Sequence, residues 1–353
     1  MRVESVTSAQ NRKVKTLLAL QEKARLRKEM GLFVVEGRRE LEHCISAGFE
    51  IDTLFICPEI AGCAVSQAAD GSPAEAIRYS ALKRNADPTR VKASTGLPSA
   101  DIFETASTGS AVSFGGSGDT PVKAIHVGAL SRTADPIRAK SSPGVSPAPF
   151  VEPALLAILE AAGQIVEVPK ELYAKIAYRE GTEGMVAEVK VRERTLERLR
   201  LKENPLVVVL EGVEKPGNLG AVLRSADAAG ADAVLVCDPL TDLYNPNLIR
   251  ASIGAVFTVP VACCSSEEAI KWLKDNDINI YTAQLQDSSW YYDTDMTEGT
   301  AIVIGTEATG LTDAWRRAAD AHIRIPMLGE LDSLNASVSA AILLFEAVRQ
   351  RNA

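Results

Sequence analysis

The sequence has no run of about 18 consecutive apolar residues, the length a helix needs to cross a bilayer. Its opening, MRVESVTSAQNRKVK, lacks the apolar core of a secretory signal. Neither a membrane span nor export is expected, and the expected location is the cytoplasm. Metal-ligand patterns are also missing. The six cysteines (Cys44, Cys57, Cys63, Cys237, Cys263, Cys264) form no CxxC pair, and His43, His126 and His322 are scattered. That spacing offers no zinc site, so no metal is expected. In a reducing compartment the thiols are read as free. A positive balance is absent too, because 38 Lys and Arg against 46 Asp and Glu leave a net charge of −8. Such a chain does not bind nucleic acid indiscriminately. A full GxGxxG turn is lacking, which counts against a dinucleotide-dependent dehydrogenase.

What is present is an ordinary soluble composition, 46% hydrophobic and 24% charged. The 353 residues exceed the ~250–300 that one core usually serves, so two domains are expected. Two local basic clusters stand against the acidic average. Arg12 to Arg39 includes Lys13, Lys15, Lys23, Arg25, Arg27, Lys28 and Arg38 against Glu22, Glu29 and Glu36. Lys190 to Lys202 includes Arg192, Arg194, Arg198 and Arg200 against Glu193 and Glu197. Each run, taken alone, reads more often as a solvated helix face than as a binding site.

Hydrophobic periodicity divides the chain. A helix over 8–29, a strand over 31–36, a helix over 38–47 stopped by Gly48 and a strand over 51–57 predict a small mixed domain. From 59 to 150 Gly, Ser, Ala, Thr and Pro dominate. This stretch reads as an inserted or disordered segment, with short ordered pieces near 77–83 and 122–130 at most. Pattern returns with a helix at 153–162, strands at 165–168 and 184–191, a helix at 171–176 and a charged link at 192–201. Beyond Pro205, strands at 206–210, 233–237, 258–261, 280–283, 301–304 and 321–325 alternate with helices at 220–229, 247–254, 266–276, 313–319 and 335–351. That alternation predicts an α/β domain with a parallel sheet covered on both faces.

Ligands of such sheets bind beyond the carboxyl ends of the strands. Three segments there carry unusual residues. In Glu211 to Gly220, Gly217 and Gly220 allow close backbone approach, Asn218 reads as a helix cap, and Arg224 follows one turn into the helix. In Ile304 to Leu311, Gly305 permits close approach and Glu307 faces either a pocket or a helix start. The third runs from Ile325 through Ser333 and Asn335, both ordinary N-cap types, to Ala341. Each alone is a common structural device.

Together, and in this order, they resemble the SpoU (TrmH) family of SPOUT methyltransferases. The family's N-x-x-G-x-x-x-R turn is met by a variant, Asn218, Gly220 and Arg224 in NLGAVLR, with Arg four residues after Gly. G-x-E-x-x-G-L is met by Gly305, Glu307, Gly310 and Leu311, and I-P-M-x-G-x-x-x-S-L-N-x-S-V-x-x-A by Ile325 to Ala341. NPNLIRASIGAVFTVPV also looks like the family. N-terminal pieces such as QNRKVKTLLAL and FVVEGRRELEHCISAGFEIDTLFI resemble a ribosomal-protein-like substrate-binding domain often attached to it.

The resemblance implies an RNA-binding domain over 1–200, with 59–150 inserted, and a methyltransferase domain over 204–353 with a deep trefoil knot. It implies a homodimer and S-adenosylmethionine as cofactor. The cofactor would be held near Thr282, Ala283, Gly305, Ile325, Met327, Leu334 and Asn335. Arg224 would act at a ribose 2′-hydroxyl, with Asn218, Glu307, Ser333 and Asn335 ordering the site. An Arg is too weakly acidic to be a simple base, so its expected role is to orient a phosphate and stabilise developing negative charge. RNA contacts are expected at Lys13, Lys15, Arg27 and Arg38. The implied substrate is rRNA. A tRNA 2′-O-methyltransferase and a non-catalytic ribosome-assembly factor are the alternatives.

Overall fold

The computed structural model describes residues 2–63, 153–178, 183–306, 309–330 and 333–353. The remainder of the expected insertion, with its pieces near 77–83 and 122–130, lies outside the described residues. So does Glu307.

In the N-terminal half the strands are Arg2–Ser5 (β1), Leu32–Glu36 (β2), Ile51–Ile56 (β3), Ala162–Glu167 (β4) and Met185–Lys190 (β5). They form one mixed sheet in the order β1-β4-β3-β5-β2. β4 runs parallel to β1 and β3, and β5 runs antiparallel to β2 and β3. The helices are Arg12–Glu22 (α1), Ala24–Met30 (α2), Arg38–Ser46 (α3), Pro58–Ala61 (α4), Pro153–Ala161 (α5) and Lys170–Ile176 (α6). Val14, Leu17 and Leu20 are the buried stripe of α1, and Asn11 caps it by accepting from the Lys13 N–H.

The single helix expected over 8–29 is two, because Lys23 is extended between them. The break frees carbonyls at the end of α1, and Arg27 satisfies two of them: its Nη1 donates to Leu20 O at 2.6 Å and to Gln21 O at 3.2 Å. β1 was not legible in the sequence. It is four residues long and exists through its pairing with β4, about 160 residues later.

In the C-terminal half the strands are Leu206–Glu211 (β6), Ala233–Cys237 (β7), Val261–Cys264 (β8), Asn279–Ala283 (β9), Ser289–Trp290 (β10), Thr300–Ile304 (β11) and Ala321–Arg324 (β12). Their order is β10-β12-β9-β11-β6-β7-β8, and every neighbouring pair is parallel. The helices are Pro216–Ala229 (α7), Pro246–Ser252 (α8), Ala255–Thr258 (α9), Ser266–Asp275 (α10), Asp313–Ala318 (α11) and Ala336–Arg351 (α12). Alternate residues of β6 enter opposite cores: Leu206, Val208 and Leu210 on one face, Val207 and Val209 on the other. Burial on both faces is why the strand reads as an unbroken apolar run.

The strand expected at 258–261 starts later. Gly254 takes a left-handed turn, and Ala255–Thr258 winds into helix with Phe257 buried. α7 starts four residues before the expected 220. Pro216 sits in its first turn, where a missing N–H costs nothing.

The two halves share a core. Phe33 of β2 stacks on Tyr244 with centroids 4.3 Å apart, and Phe49 meets Phe257 edge-on at 5.3 Å. Arg27 Nε lies 2.6 Å from Asp242 Oδ2. Among the described residues no helix is long and apolar enough to cross a membrane, and no cluster of His, Cys, Asp and Glu could hold a metal ion. All six cysteines are free thiols.

Candidate active site

β9, β11 and β12 are neighbours whose carboxyl ends open on the same edge of the sheet. Beyond them lies a cleft of about 310 Å³. Its walls come from the ends of these strands and the residues after them, 283–286, 304–306 with 310–311, and 323–327 with 333–339, with Leu343 of α12 behind. Ile304, Ile323, Ile325, Met327 and Leu343 give apolar walls, while Gln284, Thr306, Arg324 and Ser333 bring polar groups. A concave, mainly apolar site with a few placed polar groups is the usual form of a small-molecule site.

Backbone proximity shapes one wall. A Cβ added to Gly305 would stand 2.3 Å from the Gly310 carbonyl carbon and 2.6 Å from Leu311 N. Thr306 and Gly310 pair as an isolated antiparallel bridge, so the segment folds back on itself. Only glycine fits at 305, which explains one motif residue without any ligand. Gly220 has a similar cause: its added Cβ would meet Ala251 Cβ at 2.6 Å, where α7 crosses α8.

Of the expected cofactor residues, Ala283, Gly305, Ile325, Met327 and Leu334 line the cleft. Two do not. Thr282 is fully buried, with its hydroxyl 2.6 Å from His322 Nδ1, so it braces the sheet behind the wall. Asn335 is the N-cap of α12, and its Oδ1 accepts from Ser337 N at 3.0 Å. Ser333 lines the cleft and is not the cap.

Asn218 does not cap α7 as expected. It lies inside the first turn, and the capping position is Lys215, which makes no side-chain cap bond. Its side chain instead accepts from Asn335 Nδ2 at 3.2 Å. Arg224 is the ninth residue of α7, well beyond the one turn expected. It is exposed, and it makes no hydrogen bond or ion pair among the described residues. It does not line the cleft, but its helix packs on α12, whose N-terminus does.

Sequence reasoning missed Arg324. Its guanidinium lies 4.2 Å from the Trp290 ring centroid, a cation–π contact that holds a positive charge at the cleft wall. Its position at the carboxyl end of β12 was the available signal.

A buried polar cluster supports this edge from below. Glu211, 5% exposed, accepts from Thr312 N at 2.9 Å and Thr312 Oγ1 at 2.7 Å. Trp315 Nε1 donates to Ser266 Oγ at 3.0 Å, and that hydroxyl lies 2.6 Å from Asp238 Oδ2. These bonds tie β6 to the start of α11, just after Leu311.

The basic residues expected at an RNA surface have different fates. Arg27 is a correction: it is 3% exposed and committed to Asp242 and the end of α1. Lys13 pairs with Glu4 at 2.7 Å, and Arg38 with Glu42 at 3.3 Å. Lys15 is exposed.

Comparison with known proteins adds independent findings. Residues 205–345 match the model of the SpoU rRNA methylase family, and residues 11–90 match an MRM3-like substrate-binding domain. The chain is 34% identical, over 194 residues, to a 23S rRNA (uridine(2479)-2′-O)-methyltransferase of Streptomyces viridochromogenes, covering 53% of this chain and 68% of that one. It is 35% identical to the 23S rRNA (guanosine-2′-O-)-methyltransferase RlmB of Yersinia pestis, covering 56% and 83%. A crystal structure of an RNA 2′-O ribose methyltransferase superposes with a TM-score of 0.64 at 29% identity, covering 99% of this chain and 100% of that one.

Proposed function

This chain belongs to the SpoU rRNA methylase family, and on that premise we propose that it moves a methyl group from S-adenosylmethionine to a ribose 2′-hydroxyl of ribosomal RNA. The observation that carries the reading is the convergence of 283–286, 304–306 with 310–311, and 323–327 with 333–339 on one cleft. The lining fits the cofactor: apolar walls suit a heteroaromatic ring, and Gln284, Thr306, Arg324 and Ser333 bring polar groups for its polar ends. Ala283, Gly305, Ile325, Met327 and Leu334 would hold it. When bound, the cofactor supplies a methyl group already activated by a positively charged sulfur.

The protein's own residues must position the acceptor and handle its charge. Arg224 is exposed and has donors to spare. In this reading it grips an RNA phosphate and stabilises the ribose 2′-oxygen as the hydroxyl proton passes to solvent. Asn218 and Asn335 join its helix to the cleft. Ser333 and Glu307 would complete the site.

The same reading includes a knot, a dimer and a division of labour. The exposed Val338 and Phe345 on α12 support a homodimer, since a helix with an uncovered apolar stripe gains by being covered. The N-terminal half, 1–200, would bind the RNA, and 204–353 would perform the transfer in the cytoplasm.

The deciding experiment maps 2′-O-methylation across all stable RNAs with and without the gene, alongside transfer of labelled methyl by the purified protein. Loss of one mark in large-subunit rRNA is expected. A lost mark in tRNA would move the substrate. Cofactor binding with no transfer to any RNA would leave a non-catalytic assembly factor.

A further inference from the structure

The second basic cluster of the sequence takes no part in the cleft beyond β9, β11 and β12. Three of its four arginines gather at another one, of about 190 Å³, where the segment after α3 meets the approach to β8. Phe49 and Phe257 lie in its wall. The guanidinium carbons of Arg192 and Arg194 each stand 5.2 Å from the Phe49 centroid. Such stacking holds a planar guanidinium in place while leaving its N–H groups free.

Each of these two side chains is oriented by one carbonyl. Arg192 Nη1 donates to Ala47 O at 2.6 Å, and Arg194 Nη2 donates to Val256 O at 2.8 Å. A guanidinium has five N–H donors, so most remain unused on both. Nε of Arg194 is buried and has no hydrogen-bond partner. Arg198 lines the same cleft and meets Glu193 at 3.3 Å, in an exposed pair that solvent weakens. Three cations face one carboxylate, a local excess of two positive charges in a chain of net −8. Planar forks over an apolar floor suit the oxygens of a phosphate.

We infer that the Arg192, Arg194 and Arg198 cleft binds a phosphodiester of the RNA backbone, at the seam between the two halves of the chain. The inference rests on the RNA reading given above. A phosphate held there is fixed to both halves at once. It therefore sets where the strand runs relative to the methyl-transfer cleft.

The test is the binding of protein-free large-subunit rRNA to the full chain, from about 50 to about 300 mM salt, with cofactor titration in parallel. The variants are Arg192→Gln with Arg198→Gln, and Arg198→Gln alone, which leaves the Phe49 contacts in place. The double variant should weaken binding roughly 10-fold at low salt and flatten the plot of log K against log salt by about 0.7–0.9, the change for one phosphate contact. The single variant should flatten it by about half as much, and cofactor affinity should not move. If the double variant fails to fold, the single one decides. Unchanged slopes in folded variants would overturn the site while leaving methyl transfer by the wild type intact. Flattened slopes in a protein that transfers no methyl would keep the site and remove the activity.

Discussion

Asn335 Nδ2 donates to Asn218 Oδ1 across 3.2 Å, joining residues 117 apart in sequence. One caps α12 at the cleft, and the other lies in the first turn of the helix that carries Arg224. Two motifs that are distant in the chain thus become one piece of structure.

That contact separates two roles by substitution. Asn335→Ala removes a cap as well as the link, and should lower stability by about 1 kcal/mol. Asn218→Ala removes the link but no helix cap, and should lower the denaturation midpoint less. Both should reduce the methylation rate. Chemical denaturation and single-turnover transfer distinguish them, and equal stability losses would show that Asn218 is a structural residue.

Arg224→Ala should leave the fold and cofactor affinity intact, because the side chain is exposed and makes no hydrogen bond or ion pair among the described residues. The expected loss in rate is on the order of 100-fold or more, as for other preorganised charge-stabilising donors. Wild-type turnover by this variant would remove Arg224 from the chemistry.

Arg27→Met should act on stability instead of RNA affinity. It leaves Asp242 without its partner and two carbonyls of α1 without a donor. Losing one member of a buried pair costs about 3–5 kcal/mol. Since Asp242 keeps some access to solvent, the lower end applies. Urea denaturation measures this directly, and a midpoint equal to wild type would contradict it.

Glu188 predicts a pH dependence. Burial, reinforced by Asp52 and opposed by Lys13, pushes its carboxyl up to about 7 from an ordinary 4.5. The folded state therefore holds this proton when the unfolded chain has already released it. Stability falls as pH rises from 4.5 to about 7 and levels off above, by roughly 3 kcal/mol at most. Glu188→Gln should raise the thermal midpoint at pH 8 relative to wild type and change it little at pH 4. An equal shift at both would show that the proton is not involved.

Much of this protein was written locally. The apolar run of β6 is legible because both of its faces are buried, and the α/β alternation after Pro205 follows from period and punctuation. The three motifs were legible as an ordered set; residues of the second and third line one cleft, and those of the first do not. What the sequence could not decide was which side of a surface each polar residue takes. Lys13, Lys15 and Arg27 look alike in a basic helix, yet Arg27 is buried because α1 breaks at Lys23 and Asp242 arrives from 215 residues away. Thr282 looks like a cofactor contact, yet His322 from the neighbouring strand holds it behind the wall. Period and propensity act over a few residues. Burial and pairing depend on what the folded chain brings from elsewhere, and only the tertiary structure sets that.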